Sequence, residues 1–203
     1  MGMGEPADNA VNVVKAATIL TDRNGFQLAQ SKVTISTVAP SPDVFMQLSK
    51  APCVLAWSVH AVNEKLRKTL VPTTKYSMIE LRQGLINTLI QRPKKLRTTM
   101  LEIALIHNMN DSIKDANELA DFVNVMFENV PNMKLIVNLI PWNDIISMHD
   151  YEKPSYDDVL AFQNQLISRG VFAFIRTTRG DDIAAACGQL ARNKKKNVVV
   201  AAE

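Results

Sequence analysis

The sequence has 203 residues, of which 47% are hydrophobic, and a formal net charge of +3 at pH 7 with a pI near 8.9. This length predicts one domain, or two small ones, and the apolar runs are far shorter than the roughly 20 residues of a membrane span. No secretory signal pattern is present, and two cysteines are too few for a disulfide framework, so we expect a soluble protein of a reducing, cytoplasmic compartment.

The chain opens on a turn. Its first letters, MGMGEP, combine glycines, a glutamate and a proline in a way typical of a tight polar turn after a strand or before a helix. Because nothing precedes this turn, we expect it to be the end of a strand that is missing from the sequence.

Short apolar runs rich in β-branched residues recur along the chain. They are KVTIST (32–37), CVLAWSV (53–59), TTMLEIALI (98–106), KLIVNLI (134–140) and VFAFIR (171–176). Their hydrophobic residues are nearly continuous rather than alternating, which predicts strands buried on both faces.

Three stretches between these runs have helical spacing. They are SMIELRQGLINTLIQR (77–92), SIKDANELADFVNVMFENV (112–130) and SYDDVLAFQNQLISRG (155–170). Ser112 and Ser155 are predicted N-caps, and Gly170 is a predicted C′ glycine. Strands that alternate with helices predict an α/β fold with a parallel sheet, open or barrel-like, and right-handed crossovers.

Polar residues follow the carboxyl end of every predicted strand, whereas the amino ends of the strands show no such pattern. The carboxyl ends of parallel strands meet at one edge, and α/β folds build their sites there. We therefore expect one group of side chains to converge: Glu5, Ser36, Ser58, His60, His107, Asn138, Asn143, Arg176, Arg179, Asp181 and Asp182.

The motifs at these strand ends occur in a specific order: GMGEP, VTIST, WSVHAVNEKLRKTLVPTTKY, HNMNDS, VNLIPWN and RTTRGDDIAAACGQLA. In this order the sequence resembles the radical S-adenosylmethionine RNA methyltransferases, which methylate C2 of adenine in large-subunit ribosomal RNA and in some tRNAs. A sister group methylates C8. The resemblance covers residues 1–192 and implies a partial parallel (βα) barrel with a [4Fe–4S] cluster and S-adenosylmethionine at its mouth. We expect residues 193–203 to be a disordered basic tail.

The resemblance implies a set of cofactor-binding residues: Gly4, Glu5, Ser36, Ser58, Val59, His60 and Asn143. In the family the glycine admits a close backbone approach and the glutamate meets the amino end of the methionine moiety. Ser58-Val59-His60 stands where the family usually has Ser-Leu-His. The alternatives are an ordinary solvated turn for Gly4 and Glu5 and a hydrogen-bonded structural histidine for His60.

Cys187 matches the family cysteine that takes a methyl group from one S-adenosylmethionine. A radical made from a second molecule then activates that methyl for addition to the adenine ring. Methyl capture needs a thiolate, which nearby positive charge favours. Arg176 and Arg179 lie near Cys187 in sequence, with Asp181 and Asp182 acting against them. From composition alone, a cysteine beside three alanines is a small buried hydrophobe.

The resemblance also implies parts that this sequence does not contain. These are the first barrel strand, the Cys-x3-Cys-x2-Cys loop that ligates the cluster, a second catalytic cysteine and an RNA-contacting domain. The two cysteines here, Cys53 and Cys187, cannot supply the ligand set, so we expect the chain alone to be inactive. The alternative function is a non-catalytic remnant that binds RNA or S-adenosylmethionine, or a partner module.

The expected partner is RNA, ribosomal or transfer, with no membrane contact. Two basic segments, 91–97 and 192–196, either neutralise phosphates or are solvated helix ends and tail. The missing strand predicts an exposed sheet edge at residues 33–36 and self-association through it. The compartment is the cytoplasm, or an organelle if an upstream transit segment is missing.

Overall fold

The computed structural model describes residues 4–143 and 151–176, in which helices and strands alternate. In chain order these elements are α1 (Ala10–Thr21), β1 (Thr34–Thr37), α2 (Asp43–Leu48), β2 (Val54–Ser58), α3 (Glu64–Leu70), α4 (Met78–Gln91), β3 (Thr98–Leu105), α5 (Ile113–Asn129), β4 (Lys134–Pro141), α6 (Tyr156–Ser168) and β5 (Ala173–Ile175). Short 3-10 turns cover Pro6–Asn9, Gln30–Lys32 and Lys94–Leu96. None of the helices in these two described ranges is long and apolar enough to cross a membrane.

The strands form one parallel sheet in the order β1-β2-β3-β4-β5, which is also their order along the chain. The predicted α/β fold with a parallel sheet is therefore confirmed. A parallel sheet that adds each new strand on the same side, through crossovers of one hand, places all its helices on one face. This winding is that of a barrel rather than of a doubly wound sheet, in which the strand order reverses.

The prediction that the strands are buried on both faces is wrong. Burial alternates along β1, β3 and β4, and only β2 is buried through most of its length. The covered face packs under the helices, whereas the opposite face, which we call the open face, carries half-exposed side chains. Strands with one open face offer that face to a ligand or to another part of a protein.

The core lies between the covered face and the helices. Trp57 is at its centre, with ring centroids 5.5 Å from Phe45 and 5.8 Å from Phe122. Gly84 lets α4 approach the chain before α2, because a Cβ at this position would lie 2.7 Å from the Cβ and carbonyl oxygen of Pro42. A second cluster packs α1 against β1 and β2 and includes Cys53, which is fully buried.

The three predicted helices are confirmed to within two residues at their ends. Ser77 and Ser112 form capping boxes with Glu80 and Asp115, and Ser155 caps α6. Gly170 follows α6 with a φ of +78°, the left-handed conformation that a C′ glycine supplies. Periodicity did not identify α1, α2 or α3. For α2 and α3 the reason is their length, because six and seven residues are too few for a clear helical pattern.

Candidate functional site

Four side chains lie in one line across the open face. Ser58, Glu102, Asn138 and Phe174 are register partners in β2, β3, β4 and β5, and we call them the inner row. Ser36 lies on the same face of β1, one row lower, opposite Ala56. Polar side chains thus occupy the side of the sheet that the helices leave uncovered.

Glu102 is the most buried polar residue of the inner row, with 3% of its surface exposed. Its Oε1 accepts a hydrogen bond of 2.8 Å from Nδ2 of Asn138. Its Oε2 has no hydrogen-bond donor among the described residues, and a terminal nitrogen of Arg176 lies 3.8 Å away. The open face therefore contains a buried carboxylate whose Oε2 accepts no hydrogen bond from residues 4–143 or 151–176.

Arg67 in α3 holds the carboxyl ends of β1 and β2 together. Its guanidinium donates hydrogen bonds of 2.7 Å to the carbonyl oxygens of Ser58, Val59 and Val38. Burial lowers the pKa of Arg67 to about 10, with the charge of Glu64 acting in the opposite direction. The backbone next to the predicted site residues is thus fixed by a cation from a neighbouring helix.

Glu5 lies at the carboxyl end of β1. Its carboxylate accepts hydrogen bonds from the Ala7 amide at 3.0 Å, from the Val38 amide at 2.9 Å and from the hydroxyl of Thr37. These bonds attach the opening turn to the sheet. Gly4 is exposed and has a φ of +87°, a conformation that glycine adopts without strain.

His60 and Val59 lie away from the open face. Val59 is fully buried in the core, while His60 borders a cavity of about 10 Å³ with Ile103, Leu119 and Phe162. Nδ1 of His60 accepts a hydrogen bond of 3.0 Å from the Ala104 amide. Burial lowers the pKa of His60 to about 4, and the positive charge of Arg67 adds to this effect. His60 is therefore neutral at pH 7.

The turn after β3 is built on Asn110. Its Nδ2 donates at 2.7 Å to the carbonyl oxygens of His60 and Ala104, and its Oδ1 accepts from the Ile106 amide at 2.8 Å. Near this turn, Nδ1 of His107 lies 3.4 Å from a carboxylate oxygen of Asp111. His107 therefore faces its own turn rather than the inner row.

Asn143 follows β4 and is buried, with 7% of its surface exposed. The backbone just before it is held to the neighbouring strand by a hydrogen bond of 2.9 Å from the Trp142 amide to the Leu105 carbonyl. Asn143 thus lies at the carboxyl edge of the sheet, as its position in the sequence predicts.

The structure brings part of the predicted group together. Ser36, Ser58 and Asn138 share the open face, Arg176 is adjacent to Glu102, and Glu5 is at the carboxyl end of β1. Arg179, Asp181, Asp182 and Cys187 lie outside the described residues, so the roles predicted for them stay predictions.

Sequence reasoning missed Glu102, Arg67 and Asn110. Glu102 and Asn138 are single polar residues inside apolar runs, which is a signal for a polar position on a sheet face. Arg67 has no such signal, because its burial depends on where α3 packs.

The basic segment 91–97 has a structural use. Arg92 is buried and donates hydrogen bonds to the carbonyls of Ala51 and Cys53, while Arg97 donates to the carbonyls of Ile90 and Pro131. The segment also precedes β3 and so lies at the amino ends of the strands, away from the site edge. These contacts favour the structural interpretation of its arginines over phosphate binding.

The sequence and the structure of the chain are similar to those of known proteins, although no family model matches the sequence. The chain is 39% identical over 193 residues to the "Dual-specificity RNA methyltransferase RlmN" of Xanthomonas oryzae pv. oryzae (strain PXO99A) and to that of Stenotrophomonas maltophilia (strain K279a). Each alignment covers 94% of this chain and 47% of the relative, so the chain spans about half the length of the curated relatives it matches.

Two solved structures are similar in fold. A radical SAM methyltransferase from Sphaerobacter thermophilus matches with a TM-score of 0.79 and 33% identity, over 93% of this chain and 53% of that one. A domain of pyruvate-formate lyase-activating enzyme from Bacteroides vulgatus ATCC 8482 matches with a TM-score of 0.62, over 86% of this chain and 95% of that one. At 16% identity the second match shows a similarity of fold only.

Proposed function

Since this chain belongs to the family of radical SAM RNA methyltransferases and has the fold of a partial radical-SAM-type barrel, we propose that it contributes to the methylation of adenine C2 in RNA. Its proposed part is to bind S-adenosylmethionine and the substrate adenine at the open face of the sheet. The observation that supports this most directly is the open face itself, where a buried carboxylate, an amide and two serine hydroxyls lie at the carboxyl half of parallel strands.

The residues present fit S-adenosylmethionine, which supplies the methyl group when bound. Ser36 and Ser58 are half-exposed on the open face, and one oxygen of Glu102 lacks a hydrogen-bond donor in the part of the chain that the structure describes. Asn143 lies at the edge of the same sheet. In this proposal Glu5 acts mainly by holding the turn at Gly4 next to β1, because three hydrogen bonds within the protein occupy its carboxylate.

The residues present do not fit a [4Fe–4S] cluster. Cluster ligation in this family takes three thiolates, and the sequence has two cysteines. Cys53, the residue before β2, is fully buried in the cluster beside α1, and burial raises the pKa of its thiol. For the full reaction, the residues that ligate a cluster must therefore be supplied from outside the given sequence.

Cys187 is proposed as the methyl acceptor of the first transfer. Its thiolate sulfur attacks the methyl carbon, the bond from that carbon to the sulfonium sulfur breaks, and S-adenosylhomocysteine leaves with the electron pair. Cys53 serves as the internal control, since its buried thiol does not meet solvent. Incubation with S-adenosylmethionine followed by peptide mass spectrometry is expected to find a methyl group on Cys187 and none on Cys53. Methylation of neither residue contradicts this role.

Binding can be measured separately from chemistry. We expect isothermal titration calorimetry to detect S-adenosylhomocysteine binding to the whole chain and a weaker affinity in the double variant Ser36→Ala, Ser58→Ala. Ser168→Ala is the matched control, because Ser168 lies at the far end of α6 and its hydroxyl donates to the Gln165 carbonyl of its own helix. Equal affinities of the three proteins would remove these serines from the cofactor site.

The second candidate function is a non-catalytic module that binds RNA or S-adenosylmethionine. The cysteine count favours it, because the chain has too few thiolates for its own cluster. Peptide mass spectrometry of the chain after incubation with S-adenosylmethionine separates the two. A methyl group on Cys187 would exclude the non-catalytic interpretation, whereas cofactor binding without methylation would support it.

A further inference from the structure

The inner row has a definite chemical order across the sheet. Ser58 offers a hydroxyl, Glu102 a carboxylate, Asn138 an amide and Phe174 an aromatic ring, on four neighbouring strands. At the usual spacing of strands their Cα atoms span about 14 Å. This row is long enough for a two-ring base together with the sugar attached to it.

Glu102 is prepared to accept a hydrogen bond from a ligand. Its Oε1 is occupied by Nδ2 of Asn138, and because a carboxylate only accepts, this bond fixes the amide with its nitrogen towards Glu102. Its Oε2 is buried and lacks a hydrogen-bond donor among the described residues, since Arg176 at 3.8 Å is too far to donate one. A buried acceptor without a donor is costly, and an N–H or O–H from a ligand removes that cost.

The charges around Oε2 restrict the ligand class. A cationic ligand would lie next to the guanidinium of Arg176, and an anionic one would face the carboxylate of Glu102 itself. A neutral ligand that donates a hydrogen bond fits both neighbours. An amino-bearing base meets this condition, whereas a phosphate or a metal ion does not.

The far end of the row provides a surface for a planar ring. Phe174 is 50% exposed, and its ring lies edge to face with that of Phe172, with centroids 4.8 Å apart. Aromatic side chains exposed beside hydrogen-bonding groups stack on nucleobases, and the polar groups then read the edge of the base.

We propose that the inner row is an adenine-binding subsite in which the 6-amino group donates to Oε2 of Glu102 and the ring packs against Phe174. The choice of adenine among amino-bearing bases rests on the proposed function. Both S-adenosylmethionine and the RNA substrate contain adenine, so the chemistry is shared and the source of the base is decided by experiment.

The first test compares three nucleosides on the unmodified chain by calorimetry. Adenosine has a 6-amino group, purine riboside has none, and inosine has a 6-keto group. Loss of a hydrogen bond to a charged acceptor weakens binding by about tenfold to a hundredfold, so adenosine is expected to bind at least about tenfold tighter than purine riboside. Equal affinity for adenosine and purine riboside overturns the proposal, and this arm does not depend on a variant.

Glu102→Gln should reverse the preference. Asn138 still donates to the Gln oxygen, which places the Gln NH2 where Oε2 was and turns the acceptor into a donor. Inosine, with its keto oxygen, should then bind more tightly than adenosine, a reversal that a merely structural role of Glu102 would not produce. Phe174→Leu should weaken all three nucleosides alike. Glu118→Gln, on the outer side of α5, is the matched control and should keep the preference for adenosine.

The second test identifies the source of the base. If the subsite takes the cofactor's adenine, Glu102→Gln weakens S-adenosylhomocysteine binding and leaves binding of a short single-stranded RNA unchanged. If it takes the substrate's adenine, the variant weakens binding of an RNA with one adenosine to the level of the same RNA with purine riboside. Binding of both probes with no effect of Glu102→Gln overturns the subsite and leaves the proposed function standing. Binding of neither probe overturns the proposed function and the subsite with it.

Discussion

Nδ1 of His60 accepts a hydrogen bond from the backbone amide of Ala104, 3.0 Å away, and this ties the segment after β2 to β3. The bond requires an unprotonated Nδ1. His60 also has a φ of 60°, in the left-handed region, where histidine, asparagine and aspartate are the side chains most often found. The pair therefore gives the fold a pH-sensitive contact.

We predict a loss of stability on acidification. Burial, with the charge of Arg67, holds the pKa of His60 at about 4 in the folded chain, below the usual value of 6.5. Between these two values the unfolded chain binds more protons, so the stabilisation is complete above pH 6.5 and declines as the pH falls towards 4. The loss by pH 5 should be about 2 kcal/mol in urea unfolding.

His60→Asn provides the control for this prediction. Asparagine tolerates the left-handed conformation, and its side-chain oxygen can accept from the Ala104 amide without titrating. The difference in unfolding free energy between pH 7 and pH 5 should therefore shrink by about 2 kcal/mol in the variant. An equal pH dependence of both proteins would exclude His60 as its source.

Arg67→Met should destabilise the fold by about 3 kcal/mol, because it leaves three carbonyls at the ends of β1 and β2 without their shared donor. Arg67→Lys should restore only part of this loss, since an ammonium cannot reproduce the planar fork of the guanidinium. Lys65→Met, on the exposed side of the same helix, should stay within about 0.5 kcal/mol of the parent chain. Denaturant unfolding measures all three, and a neutral Arg67→Met would contradict the bracing role.

Local signals made it possible to predict the strands of the sheet and three helices, α4, α5 and α6. These signals are the β-branched runs, the serine N-caps and Gly170. The face of the sheet that stays open could not be predicted in this way, because it depends on all crossovers having the same hand. Glu102 and Asn138 were visible as polar residues in apolar runs, but their pairing is a matter of register between strands. The use of Arg67 depends on tertiary packing in the same way.

Gly84→Ala should destabilise the chain although it raises the helix propensity of α4 by about 1 kcal/mol. The new Cβ would lie 2.7 Å from backbone and side-chain atoms of Pro42, so α4 must move away from the chain before α2. Overpacking of this kind costs about 1–3 kcal/mol. Asn87→Ala, an exposed substitution in the same helix, raises propensity without a clash and should be neutral or stabilising. Thermal unfolding compares the two, and a gain in Tm for Gly84→Ala would show that the contact relaxes freely.

Self-association should occur through the edge of β1. In the described part of the chain this strand pairs with β2 on one side only, and beyond its end Glu5 accepts from the Val38 amide. The short stretch Thr34–Thr37 is thus the edge with which another chain can pair. We expect a concentration-dependent dimer in sedimentation or light scattering.

Thr34→Lys should shift the equilibrium to monomer, because charge at an exposed edge opposes strand pairing. Thr18→Lys adds the same charge on the exposed side of α1 and should leave the dimer intact. Since both variants change the net charge equally, a monomer in both would point to general repulsion, and a monomeric parent chain at every concentration would remove the edge as an interface.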